Sequence, residues 1–124
     1  MGRTFRNLAA WQRAMELARE VYRESARLPE SERYGLTSQM RRAAFSVPSN
    51  IAEGYGRGTD TEFLRIARGS LFELGTQLEL AESLELMELH ASVRDLIAET
   101  DRVLQGLIRS IESPKETIGD RDTR

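Results

Sequence analysis

The sequence predicts an all-α protein, an antiparallel up-down-up-down four-helix bundle, on three observations. Apolar residues recur at spacings of three and four through four separate stretches. Leu, Ala, Glu and Arg, all good helix formers, dominate the composition. No stretch shows the two-residue alternation of a half-buried strand. The links between the periodic stretches are short, and short links favour antiparallel neighbours.

The first helix is expected from about Asn7 to Leu28, where Leu8, Trp11, Met15, Ala18 and Tyr22 form one seam. Pro29 disfavours helical backbone at Leu28 and ends it. The second helix is expected from about Leu36 to Tyr55, with a first turn at Ser31 or Glu32 broken by Gly35. Its seam is Leu36, Met40, Ala43, Val47 and Ile51, and Pro48 falls inside it. Pro48 lacks an amide hydrogen, so a kink is expected near Ala44. Gly54, Gly56 and Gly58 then close the element. Thr59 and Glu62 fit a capping box for the third helix, which follows Phe63, Ala67, Ser70, Leu74, Leu78, Ala81 and Leu84 to about Glu85–Met87. The fourth begins at Ala91 or Ser92 and carries Val93, Leu96, Thr100, Val103, Leu107 and Ile111 until Pro114. Residues 1–113 are thus read as the bundle and residues 114–124 as a flexible polar tail.

Apolar residues make up 40% of the chain and charged residues 31%, the balance of a soluble globular domain. The absence of cysteine excludes disulfides, thiolate zinc sites and cysteine nucleophiles. No apolar run reaches the length of a membrane span, and no signal peptide is recognisable, so the expected location is the cytoplasm. The net charge of −2 hides an asymmetry. Residues 1–68 hold 12 arginines against 8 acids, whereas residues 69–124 hold 6 bases against 12 acids. Packed together, the halves neutralise one another. That reading is favoured over a basic nucleic-acid face, because the chain lacks an overall basic footprint.

Catalytic chemistry finds no support. His90 is the only histidine, and Met87 stands where a Glu-x-x-His iron motif would need a glutamate. Gly54-Tyr55-Gly56-Arg57-Gly58 precedes a helix, but it follows no strand and lacks the spacing of a phosphate loop, so it reads as a turn. No catalytic residue, metal ligand, cofactor site or small-molecule substrate is expected. The unusual segment is the second helix. There Arg42, Ser46, Ser49, Glu53 and Arg57 form a polar ridge beside the apolar seam, with Asn50 on its border. Glu53 can reach Arg57 one turn on, while Arg42 needs an acid elsewhere. Ser46, Ser49 and Asn50 are more simply read as satisfying the carbonyl that Pro48 frees. Leu64, Leu71 and Phe72 lie beside the third seam. They either widen the core or form an oligomer interface, with nothing in the pattern to decide.

Trp11-Gln12-x-Ala14, Tyr34-Gly35-Leu36-Thr37-Ser38-Gln39-x-Arg41-Arg42-Ala43, Ser46-Val47-Pro48-Ser49-Asn50-Ile51-Ala52-Glu53-Gly54, Arg57, Glu62-Phe63 and Ala67-Arg68-Gly69-Ser70-Leu71-x-Glu73 together resemble the four-helix-bundle family of 23S rRNA-intervening-sequence proteins, over about residues 5–112. The resemblance implies a bundle that assembles into a homopentamer, and it implies no catalytic residue. It also implies kinship with the nucleic-acid-binding accessory proteins of diversity-generating retroelements. Three functional expectations follow. The first is a non-enzymatic oligomer binding RNA or a ribonucleoprotein through Arg41, Arg42, Arg57, Arg65 and Arg68. The alternative is a structural or scaffold protein with only protein partners. A small enzyme built around Arg42, Asn50 and Glu53 comes last.

Overall fold

In the computed structural model, which describes residues 4–113, the chain forms four α-helices and two short 3-10 turns, with no strand among the described residues. Thr4 caps the first turn, Phe5–Asn7, by accepting from the Arg6 amide. Helix α1 follows at Ala9–Ser25. It stops three residues short of the expected end, and residues 26–28 continue as tight turns bonded to Arg23, Glu24 and Ser25. Leu28 stays buried even so. A second 3-10 turn, Glu30–Glu32, replaces the expected early turn of the next helix. Helix α2 spans Leu36–Gly56 without interruption, with Pro48 inside it and buried.

Helix α3, Thr61–Ser83, starts differently from the sequence expectation. Asp60, not Thr59, is the N-cap, and its carboxylate accepts from the Glu62 amide at 2.9 Å. Thr59 cannot serve, because its φ of 61° follows that of Gly58 at 79° and turns its hydroxyl back onto the Gly58 carbonyl. The helix ends at Ser83, before the expected Glu85–Met87. Glu85 takes a φ of 59°, and the Leu86 amide reaches back to the Ala81 carbonyl at 2.9 Å. This is the closing pattern that glycine usually supplies. Helix α4, Ala91–Glu112, begins after His90, which holds the N-cap position without a side-chain cap bond. The expected tail at 114–124 lies outside the described residues.

The helices pack in a cycle. α2 touches α1 and α3, and α4 touches α3 and α1, while α1 and α3 share no interface. Inside lie Leu17, Val21, Met40, Val47, Ile51, Leu64, Leu71, Leu74, Leu78 and Leu104, all essentially inaccessible. Each such side chain contributes roughly 1.5–3 kcal/mol on burial. The two fully buried polar side chains among the described residues are satisfied locally: Thr100 donates to the Leu96 carbonyl at 2.7 Å and Ser25 to the Tyr22 carbonyl at 3.1 Å. None of the described helices is long and apolar enough to cross a membrane.

One close approach fixes the α2–α3 corner. A Cβ on Gly54 would stand 2.8 Å from the Asp60 carbonyl oxygen and 3.1 Å from the Phe63 Cβ. The Asp60 amide meanwhile donates to the Gly54 carbonyl at 2.8 Å. The two chain segments touch backbone to backbone, with no room for a side chain.

Candidate interaction surface

Four of the five arginines expected to form a surface are committed within the chain. Arg41 donates from Nε to Ser25 Oγ at 2.7 Å and from Nη2 to the Tyr22 carbonyl at 3.0 Å, and lies 3.9 Å above the Tyr22 ring. Arg57 pairs with Glu53 at 2.6 Å along α2 and covers Phe63. Arg65 pairs with Glu112, and Arg68 with Asp101 at 2.7 Å. Of the five, only Arg42 is exposed without an ion pair among the described residues. Arg13–Glu99, Arg65–Glu112 and Arg68–Asp101 all join the basic half to the acidic half. These three pairs pin α4 onto α1 and α3, whereas Arg23, Arg27, Arg33 and Arg57 pair with acids of their own half.

The polar ridge is divided between its own helix and α3. Ser46 and Ser70 share a hydrogen bond of 2.8 Å, and Asn50 donates to both the carbonyl and the hydroxyl of Ser46 at 2.9 Å. Ser49 donates to the Phe45 carbonyl at 2.9 Å. The bonds of Ser49 and Asn50 go to the carbonyls of Phe45 and Ser46, so they do not serve the Ala44 carbonyl that Pro48 leaves without its usual partner. Asn50 bonds Ser46 and Glu53 bonds Arg57, and no hydrogen bond joins Arg42, Asn50 and Glu53 to one another among the described residues.

The candidate oligomer interface is corrected in two of its three residues. Leu64 and Leu71 are core, at 1% and 0% exposure, because α3 turns them toward α2 and α4. Phe72 lies 100° round the helix and is 53% exposed, with Arg68 over its ring at 4.8 Å. Tyr22, expected in the first seam, is also 53% exposed. It stacks on Phe45, with ring centroids 6.2 Å apart. Together with Met15, Ala18 and Pro48, these rings line a groove of about 390 Å³ between α1 and α2, edged by Arg19, Arg23 and Ser49. Sequence reasoning passed over this groove. Its one legible sign was an aromatic, Phe45, on the outer face of an otherwise small and polar helix.

His90 Nδ1 stands 3.4 Å from Glu24, a contact between the start of α4 and the end of α1. Among the described residues no three His, Asp or Glu side chains converge so as to hold a metal ion.

The strongest electrostatic perturbations belong to the clamps on α4. The hydrogen bond from Arg13, with its positive charge, holds the Glu99 carboxyl below its ordinary value against a smaller desolvation effect. Hydrogen bonds from Arg65 and then Thr61 do the same for Glu112. Depressed folded-state values mean that this stabilisation is present above the unfolded carboxylate range and is lost as pH falls through the folded values. Chemical denaturation in an acid pH series should show Glu99→Gln combined with Glu112→Gln losing less stability on acidification than the parent chain. An unchanged acid limb would assign that limb to other carboxylates.

A family model described as 23S rRNA-intervening sequence protein matches residues 6–109. No curated protein matches the chain.

Proposed function

The chain belongs to the 23S rRNA-intervening sequence protein family, and from that premise we propose that it is a non-enzymatic oligomer that acts through its surface. The observation that carries this reading is the set of large apolar side chains left outside the core. Tyr22, Phe45, Ile66, Phe72 and Leu80 on the helices, and Leu84 just past the end of α3, are all between 43% and 56% exposed. Exposed apolar area grouped in this way marks interaction surfaces.

The oligomer is a homopentamer, the assembly that the family resemblance implies, and it works in the cytoplasm. Its protomer is an up-down-up-down antiparallel bundle, supported by Arg65–Glu112 and Glu82–Arg94 joining opposite ends of α3 and α4. On this reading α2 bends at Pro48.

A second reading adds RNA or a ribonucleoprotein as partner. The family description itself names 23S rRNA, and Arg42 is free to meet a phosphate. The kinship with retroelement accessory proteins that the resemblance implies fits the same partner class.

Light scattering after gel filtration tests the main reading: an assembly of several chains at micromolar concentration is expected, and a single-chain mass overturns it. For the second reading, a gel-shift titration against structured RNA should show binding that weakens steeply with added salt. No shift at low salt leaves the protein-only scaffold.

A further inference from the structure

We propose that the α1–α2 groove is the docking site for a second copy of this chain, and that the segment it receives is the outer stripe of the neighbour's α3. This deepens the oligomeric reading above and rests on it.

The groove offers apolar walls, Tyr22 and Phe45 foremost, with guanidinium groups at its edges. Arg19 on α1 and Arg42 on α2 are both exposed and make no ion pair among the described residues. Arg42 stands one turn before Phe45 and two turns before Ser49, on the outer face of the same helix. The stripe on α3 has the complementary composition. Ile66, Glu73 and Leu80 follow one another at spacings of seven and so lie along one line of α3, and Leu84, the C-cap four residues on, continues it. The three apolar members are 46%, 48% and 56% exposed. Glu73 and Glu62, which stands one turn before Ile66 on the same line, are exposed and likewise lack an ion pair among the described residues.

One chain cannot satisfy both surfaces by itself, because α1 and α3 share no interface within the bundle. Two copies can. The unpaired cations of one then face the unpaired carboxylates of the other across a mutual apolar contact, the arrangement that fixes register and suppresses wrong partners. Because the two surfaces differ, the contact is head-to-tail: a bound pair presents one free groove and one free stripe, and further copies add until the ring closes.

The test uses full-length chain, gel filtration with light scattering, and circular dichroism to confirm that every variant is helical. Arg19→Glu with Arg42→Glu should weaken association by about tenfold or more, and so should Glu62→Arg with Glu73→Arg, because each places like charges face to face. The chain carrying all four substitutions should regain assembly, which a purely structural role for these side chains would not produce. The two double variants mixed should associate with each other in even-numbered assemblies, since only unlike copies then match. If the wild type assembles but the reversals leave its mass unchanged, or the fourfold variant fails to regain assembly, this docking mode is overturned while the oligomeric reading stands. If Arg19→Glu with Arg42→Glu abolishes an RNA shift yet leaves the mass unchanged, the groove is a nucleic-acid face and the proposal is equally overturned. A wild type that is a single chain overturns both readings.

Discussion

Replacing Leu71 by alanine should destabilise the chain by about 3 kcal/mol, whereas replacing its neighbour Phe72 should change stability by no more than about 0.5 kcal/mol. Leu71 is fully enclosed by the helices around α3. Its truncation removes the transfer energy of the lost atoms and leaves a cavity that close-packed neighbours fill only in part. Phe72 has the larger side chain, but more than half of it is in water, and its contact is the Arg68 guanidinium. Urea denaturation of the two variants, compared at equal slope, measures the difference. Equal costs would mean that α3 is rotated about its axis from the orientation described above. The comparison also separates folding from assembly, since a loss of oligomer mass in the Phe72 variant at unchanged stability would place that ring in an interface.

The second large effect is expected at Gly54. A glycine-to-alanine change inside a helix ordinarily stabilises, because the unfolded chain loses conformational freedom. Gly54→Ala should do the reverse and cost about 1–3 kcal/mol, the range for forcing extra atoms into a packed site. The new methyl would meet the Asp60 carbonyl oxygen and the Phe63 Cβ, and neither can swing aside as a flexible side-chain tip would. Gly56 is the internal control. It lies two residues further along α2, where an added methyl would find nothing within 4 Å, so Gly56→Ala should be neutral or gain up to about 1 kcal/mol. Thermal unfolding of the two variants side by side tests the sign. Two variants with the same sign would show that α2 and α3 do not approach as closely as described.

These two predictions mark the line between what the sequence carries and what only the fold supplies. The seams of α1 to α4 were legible because helical periodicity is local, and most ends fell within three residues of expectation. The ends that moved did so for reasons of backbone conformation. Thr59 has the right chemistry for a cap but the wrong φ, and Glu85 adopts a left-handed turn that glycine usually marks in sequence. The orientation of α3 was less legible, because Leu64, Leu71 and Phe72 flank the same seam and the neighbouring helices decide which of them faces inward. The arginines were least legible. Arg68 and Asp101 are 33 residues apart, and Arg13 and Glu99 are 86 apart, distances over which one sequence gives no pairing. The charge asymmetry foretold that the halves would neutralise one another but not which side chains would meet. Arg19 and Arg42 could be recognised as uncommitted only after the others had been assigned. The groove between α1 and α2 was hidden for a related reason. Tyr22 keeps helical register with the core residues before it, yet it sits beyond the edge of what α2 covers.

The cyclic packing has a consequence for how the chain reaches this state. Three of the four helix interfaces join helices adjacent in sequence, and only α1 with α4 brings distant segments together. Mostly local contacts favour rapid folding, because little loop-closure entropy is lost before contacts form. Emerging from a ribosome, α1 to α3 can collapse while α4 is still being made. The apolar faces of α1 and α3 that α4 will cover then stand open, and arrival of the last helix seals them with Arg13–Glu99 and Arg68–Asp101. A chain truncated before Ala91 would be held in that unsealed state and should be the form most prone to aggregate.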